Sequence, residues 1–146
     1  IFIDELVMKL GRNAIITIVV AIIAVLVAIA IPIFTSQLEK SREATDAANI
    51  RDYYAEIATA MLDGSFDSST TYDISSDVKA TYSESAGTVT VTVKGFKVNQ
   101  KKAEWQTGNI DVGGYTIQST KDMSTATSID YTFDSKTGNL SEIKFN

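Results

Sequence analysis

The chain has 146 residues, with 13 basic against 18 acidic side chains, a net charge of −5, and neither cysteine nor histidine. Those absences exclude a disulfide framework, thiol and imidazole catalysis, and the usual zinc and copper ligand sets, while the mild acidity gives no reason to expect nucleic acid as an obligatory partner. A length of this order holds one modest domain plus an accessory segment, and the composition is divided accordingly, apolar at the front and rich in Ser, Thr, Asp and Lys behind.

Residues 1 to 13 are mixed, with Phe2, Ile3, Leu6, Val7 and Leu10 interrupted by Asp4, Glu5, Lys9 and Arg12. From Ala14 to Phe34 no charged residue occurs and Thr17 is the one hydroxyl. At 1.5 Å of rise per residue that run spans about 31 Å, the thickness of a hydrocarbon core. Apolar on every face, it must be buried all round, in lipid or among other helices. Its β-branched residues disfavour a helix intrinsically, but in hydrocarbon a helix satisfies every backbone group of a single segment. Pro32, at the end of the run, predicts a kink rather than a stop.

Beyond it, Thr35 to Leu62 has neither Gly nor Pro, and Ala47, Ile50, Tyr54, Ile57 and Met61 recur at helical spacing. This second half reads as an amphipathic helix. Glu43, Asp46, Arg51, Asp52, Glu56 and Thr59 are assigned to its opposite face, for water or neighbours, and Asp63 with Gly64 is expected to close it.

After Gly64 short alternating runs signal strands and turns. The clearest strand is Thr88 to Val93, with Val89, Val91 and Val93 inward. Ile129, Tyr131 and Phe133, a turn over Asp134 to Asn139, and then Ile143 and Phe145 suggest a hairpin, and Tyr115 to Ser119 follows the Gly113 and Gly114 pair as another candidate. The connection Ser65 to Ser85, containing Phe66, Tyr72, Ile74 and Val78, is expected to wrap the sheet as an ordered loop. Four strands with one apolar face need a cover, and the amphipathic half-helix supplies it. The expected fold is therefore α+β: a long N-terminal helix, kinked near Pro32, whose second half packs on a small antiparallel sheet. The expected divisions are 1–34, 35–63 and 64–146.

The segment Ile18-Val-Val-Ala-Ile-Ile-Ala-Val-Leu-Val-Ala-Ile-Ala-Ile-Pro32, followed by Ile-Phe-Thr-Ser-Gln-Leu-Glu-Lys-Ser-Arg-Glu-Ala-Thr-Asp-Ala-Ala-Asn-Ile50, resembles the N-terminal helix of type IV pilins and pseudopilins. The cysteine-free head is similar to the Gram-positive variety. The likeness covers roughly residues 18 to 57, and the head carries no motif of its own. It implies a bacterial subunit exported to the cytoplasmic membrane, cut by a prepilin peptidase, and assembled by an ATP-driven machine into an extracellular homopolymeric fibre cored by these helices. Ile18, Val19, Ile22, Val25, Leu26, Ile29 and Pro32 are the assembly residues it implies.

Such proteins carry a glutamate five residues into the mature chain. Alignment on Ala-Ile-Pro32 puts it at Ile16, with the processed glycine at Gly11 and Arg12 where Phe is usual. The other register starts at Ile1, where Ile-Phe-Ile-Asp-Glu5-Leu-Val imitates the family's Phe-Thr-Leu-Ile-Glu-Leu, and needs about ten extra residues, including Lys9 and Arg12. In that register Glu5 is expected beside a neighbouring subunit's α-amino group. The alternative is local: Asp4 and Glu5 balance Lys9 and Arg12 along their own helix. Lys9 and Arg12 before the apolar run and Lys40 and Arg42 after it leave topology undecided.

Two weaker constellations remain. Lys94, Lys97, Lys101 and Lys102 with Phe96 and Trp105 are a candidate grip on DNA or another anionic polymer; lysines guarding a strand edge are the stronger reading. Asp63, Asp67 and Asp73, or Asp130 and Asp134, lack the spacing of a calcium loop and read as solvated turns. No nucleophile elbow, phosphate loop or acid/base pair is present, so neither enzymatic activity nor a cofactor is expected. A pseudopilin of a secretion or DNA-uptake system and a membrane-anchored binding module that never polymerises are the competing readings.

Overall fold

The computed structural model describes residues 2–62 and 71–146. The expected closure at Asp63 and Gly64, the start of the connection with Phe66 and Asp67, and Ile1 lie outside the described residues. The fold is α+β. One helix, α1 (Phe2–Leu62), continues through Pro32 without interruption, and the chain divides into two compact units, residues 1–38 and 39–146.

In the first unit the helix carries its apolar run with no part of it buried. The lone hydroxyl of that run is satisfied internally, Thr17 Oγ1 donating to the Asn13 carbonyl at 2.8 Å. Thr35 Oγ1 does the same to Ile31, also at 2.8 Å. Back-bonding of this kind lets threonine sit in apolar surroundings without an orphaned polar atom.

The second unit packs the rest of α1 against an antiparallel sheet. Its strands are β1 (Tyr72–Asp73), β2 (Val78–Ser83), β3 (Thr88–Lys94), β6 (Ser128–Asp134) and β7 (Leu140–Phe145), in the order β1-β2-β3-β6-β7. Between β3 and β6 a separate hairpin pairs β4 (Ile110–Val112) with β5 (Tyr115–Ile117). The alternation read in the sequence holds: Val89, Val91 and Val93 face inward, in register with Phe133, Tyr131 and Ile129 on β6. Ala47, Ile50 and Ile57 of the helix close the core above them. Tyr131 is buried, and its hydroxyl donates to the Ile50 carbonyl at 2.8 Å, tying sheet to helix. Burial, with a smaller contribution from Tyr53, raises the Tyr131 phenol far above its ordinary value, so it stays a donor at any working pH.

The expected ordered loop over Ser65 to Ser85 is corrected in its described part. Val78 to Ser83 is a six-residue strand paired along its whole length with β3. The sheet accordingly has five strands where four were expected. The pattern Val78, Ala80, Tyr82 does alternate, but Lys79, Thr81 and Ser83 between and after them dilute it below recognition as a strand. Tyr115–Ile117 does form a strand, but in the separate hairpin.

That hairpin turns on Gly113 and Gly114, at φ 54° and 84°. Two consecutive positive φ values are the requirement of a two-residue turn matched to strand twist. Gly113 has a second constraint: a Cβ built on it would fall inside the ring of Tyr54, which is itself stacked on Phe133 with ring centroids 6.2 Å apart. Gly113→Ala is therefore expected to undock β4–β5 from the helix. The left-handed backbone alone costs about 1–2 kcal/mol for alanine, and displacing a packed ring adds to it. Gly114→Ala, with open space around its Cβ position, should cost the backbone part only. Amide exchange at Ile110 and Ile117 in the two variants checks the difference.

Candidate functional site

Two surfaces stand out from the chemistry of an ordinary small domain. One belongs to each unit.

In the first unit Ile18, Val19, Ile22, Val25, Leu26 and Ile29 are all exposed, at 46–60% of their full areas together with Val27. Pro32 and Glu5 are exposed too. Exposure of this extent is what a lone helix shows, and among the described residues nothing covers the run. The surface is not smooth. Ile18, Ala21, Ile22, Val25 and Leu26 line a shallow apolar groove of about 360 Å³, and Val27, Ala30, Ile31, Phe34 and Thr35 line another of about 310 Å³. In each, alanine leaves a hole between larger side chains, the shape into which a side chain of a second helix packs. The helix is long and apolar enough to cross a membrane.

The second surface is internal. Glu39, Glu43 and Asp46 follow each other at helical spacing and are buried, with no more than 2% of any of them exposed. This corrects the assignment of Glu43 and Asp46 to a water-facing side. Each carboxylate accepts two consecutive backbone N–H groups from the loop joining β3 to β4. Asp46 takes Asn99 N at 2.9 and 3.1 Å and Gln100 N at 2.8 Å, and also the Asn99 side-chain amide at 2.8 Å. Glu39 Oε1 takes Lys101 N and Lys102 N, both at 2.7 Å. Glu43 takes Gln106 N at 2.6 Å and Thr107 N at 3.0 Å. A loop without strand partners has no other acceptors for these donors, and charge-assisted bonds to a carboxylate are about twice as strong as neutral ones. The row is a latch that replaces a missing sheet ladder.

Among the described residues the one cation bonded to it is Arg42, whose Nη1 donates to Glu39 Oε2 at 3.4 Å. Burial pushes the Glu39 carboxyl upward, but the Lys102 and Lys101 amides, with help from Arg42, outweigh it and leave the group below its ordinary value of 4.5. A depressed folded pKa means stability that is complete above the unfolded glutamate range and lost as pH falls through the folded value. Protection of the Lys101 and Lys102 amides, taken relative to their intrinsic exchange rates at each pH, should thus be flat from pH 7 to 5 and fall only below 4.5. Glu39→Gln should remove that acid-dependent step.

The same latch decides the fate of the basic, aromatic constellation. Lys94, Lys97, Lys101 and Lys102 are exposed, but Phe96 and Trp105 are buried in the core. Trp105 Nε1 donates to the Lys121 carbonyl at 3.2 Å. The aromatic rings therefore offer no stacking face for bases. The aspartates are also engaged locally: Asp130 accepts Thr92 Oγ1 at 2.6 Å and Asn146 Nδ2 at 2.8 Å, and Asp134 accepts Thr137 N and Lys136 N at 2.8 and 2.9 Å, bonds that lower its pKa. Asp73 pairs with Lys79 at 3.4 Å. Among the described residues no group of acidic side chains is arranged to hold a metal ion.

No protein-family model matches the chain, and no curated protein and no solved structure matches it either.

Proposed function

We propose that this chain is a structural, non-catalytic subunit of a type IV pilus-like extracellular filament. It is held in the cytoplasmic membrane by its apolar helix and then polymerised through that helix with copies of itself by a dedicated assembly machine. The observation that supports this reading is the apolar run from Ala14 to Phe34, left uncovered by every described residue and set in a helix that continues to Leu62. A simple anchor needs no such continuation. Apolar side chains with holes between them gain close packing from a second helix, whereas lipid is already as apolar as they are, so the hydrophobic term cancels between the two settings. Packing and register then favour the fibre.

Electron microscopy of material sheared from the surface of cells that carry the intact protein tests this. Fibres containing the chain, of the width of a helix bundle sheathed by small domains, are expected. Surface material free of fibres, with the chain found as single copies in the membrane, would make it an anchored module instead.

A further inference from the structure

The chain as a whole is acidic, at −5, yet four of its 13 basic residues fall in the short stretch from Lys94 to Lys102. All four of those lysines are exposed, and Glu104 is the one acid between residues 96 and 109. The carboxylate latch decides where the last two lysines sit. Glu39 Oε1 accepts the backbone N–H of Lys101 and of Lys102, each at 2.7 Å, so both are held against the helix at Glu39. Lys40 and Arg42 lie within one turn of the same point. The latch carboxylates themselves are buried and bonded to amides. What faces solvent around Glu39 is therefore basic, and half of it comes from a loop about 60 residues away in sequence. In the unbroken helix α1, Glu39 follows Phe34, the last residue of the apolar run, by five residues, a rise of about 7.5 Å.

We infer that Lys40, Arg42, Lys101 and Lys102 form a basic collar that binds the anionic headgroups of the membrane holding the apolar run. This rests on the membrane-held state in the proposed function and is independent of polymerisation. The headgroup layer extends about 6 Å beyond each face of the hydrocarbon core, and a lysine stem carries its ammonium across the remaining distance. Basic groups so placed are attracted to an anionic surface, with a range of about 10 Å set by salt. The latch strengthens the attraction by preorganisation. A lysine on a free loop would lose backbone as well as side-chain freedom on reaching the surface, whereas the backbone of Lys101 and Lys102 is already fixed by charge-assisted bonds, so only their side chains are ordered on binding. Headgroups are favoured over a soluble anionic polymer because the apolar run brings them to the collar itself, which makes the contact intramolecular in effect.

The test places the full-length chain in vesicles of phosphatidylcholine alone and in vesicles containing about one third phosphatidylglycerol. Acetylation rates of individual lysines are then read by mass spectrometry. Lys136 serves as the reference. It is exposed and lines a groove with Met61 and Leu62, about 33 Å along the helix from Glu39. In the anionic vesicles Lys101 and Lys102 should be acetylated about 3-fold more slowly relative to Lys136 than in the neutral ones, and about 0.5 M salt should abolish the difference. Unchanged ratios, or slowing shared equally by Lys136, would overturn the collar and leave membrane anchoring standing. The same selective slowing produced by inorganic phosphate on neutral vesicles would assign these groups to a free anion and overturn the lipid contact. Failure of the chain to float with neutral vesicles would overturn the membrane-held state and the collar with it.

Discussion

Asp46→Ala is expected to cost the head about 3 kcal/mol. The carboxylate is buried and accepts the backbone N–H of Asn99 and of Gln100 together with the Asn99 side chain. Removing it leaves those donors without an acceptor in a dry site, at about 1–3 kcal/mol for each donor that water cannot reach. For a unit of this size the loss corresponds to a fall in Tm of roughly 10–15 °C. Asp46→Asn keeps one acceptor oxygen and should lose less. Asp52→Ala, on an exposed position of the same helix, should stay within about 0.5 kcal/mol of the original. The chain has a single tryptophan, and Trp105 is buried in the latched loop. Its fluorescence during denaturant unfolding reads the effect directly, and in Asp46→Ala a red shift ahead of the loss of helical ellipticity would show the loop leaving first.

The second large effect is expected at Val25. This residue lies in the middle of the apolar run and lines its larger groove. Val25→Asp places a carboxylate where another helix should pack. A buried charge without a partner costs about 3–5 kcal/mol, and fibre assembly should fall more than 100-fold. In the membrane the same substitution costs only about 3 kcal/mol at the helix centre, which the surrounding Ile, Val and Leu residues offset. The subunit should therefore still fractionate with membranes while fibres disappear. Val25→Leu should assemble. Comparing sheared fibre with membrane-bound subunit for the three chains separates an assembly surface from a simple anchor, which would show parallel changes in both fractions.

How far the sequence disclosed this molecule can be argued from the helix. Hydrophobic periodicity identified the core face through Ala47, Ile50 and Ile57, and those three are buried. The same periodicity, stepped back by four and seven from Ile50, lands on Asp46 and Glu43, and four further back on Glu39. Polarity assigned Glu43 and Asp46 to water when spacing had already placed them inside. What the sequence could not supply is the compensation: a burial cost for three carboxylates becomes bearable only because a loop 53 to 64 residues downstream offers paired amides, and such loops carry no periodic signature. The β6–β7 hairpin was legible because alternation and turn residues coincide there, with the Asp134 side chain accepting from Lys136 N and Thr137 N, and Gly138 at φ 73°. The strand Val78–Ser83 was not, because its outward positions are as polar as a loop's. The apolar run needed no structure to be found. Its surroundings are a matter for experiment, since an exposed apolar helix has the same sequence pattern in lipid as among its copies.

That distinction can be measured at one residue. Because the chain lacks cysteine, Val25→Cys in the full-length protein gives a single site for a nitroxide spin label, and dipolar spectroscopy on native surface material reads the distances between copies. The account predicts a distribution dominated by about 10–20 Å, the spacing of first and second neighbours in packed helices. Absence of intermolecular coupling, with the label open to lipid-soluble relaxants, would contradict it.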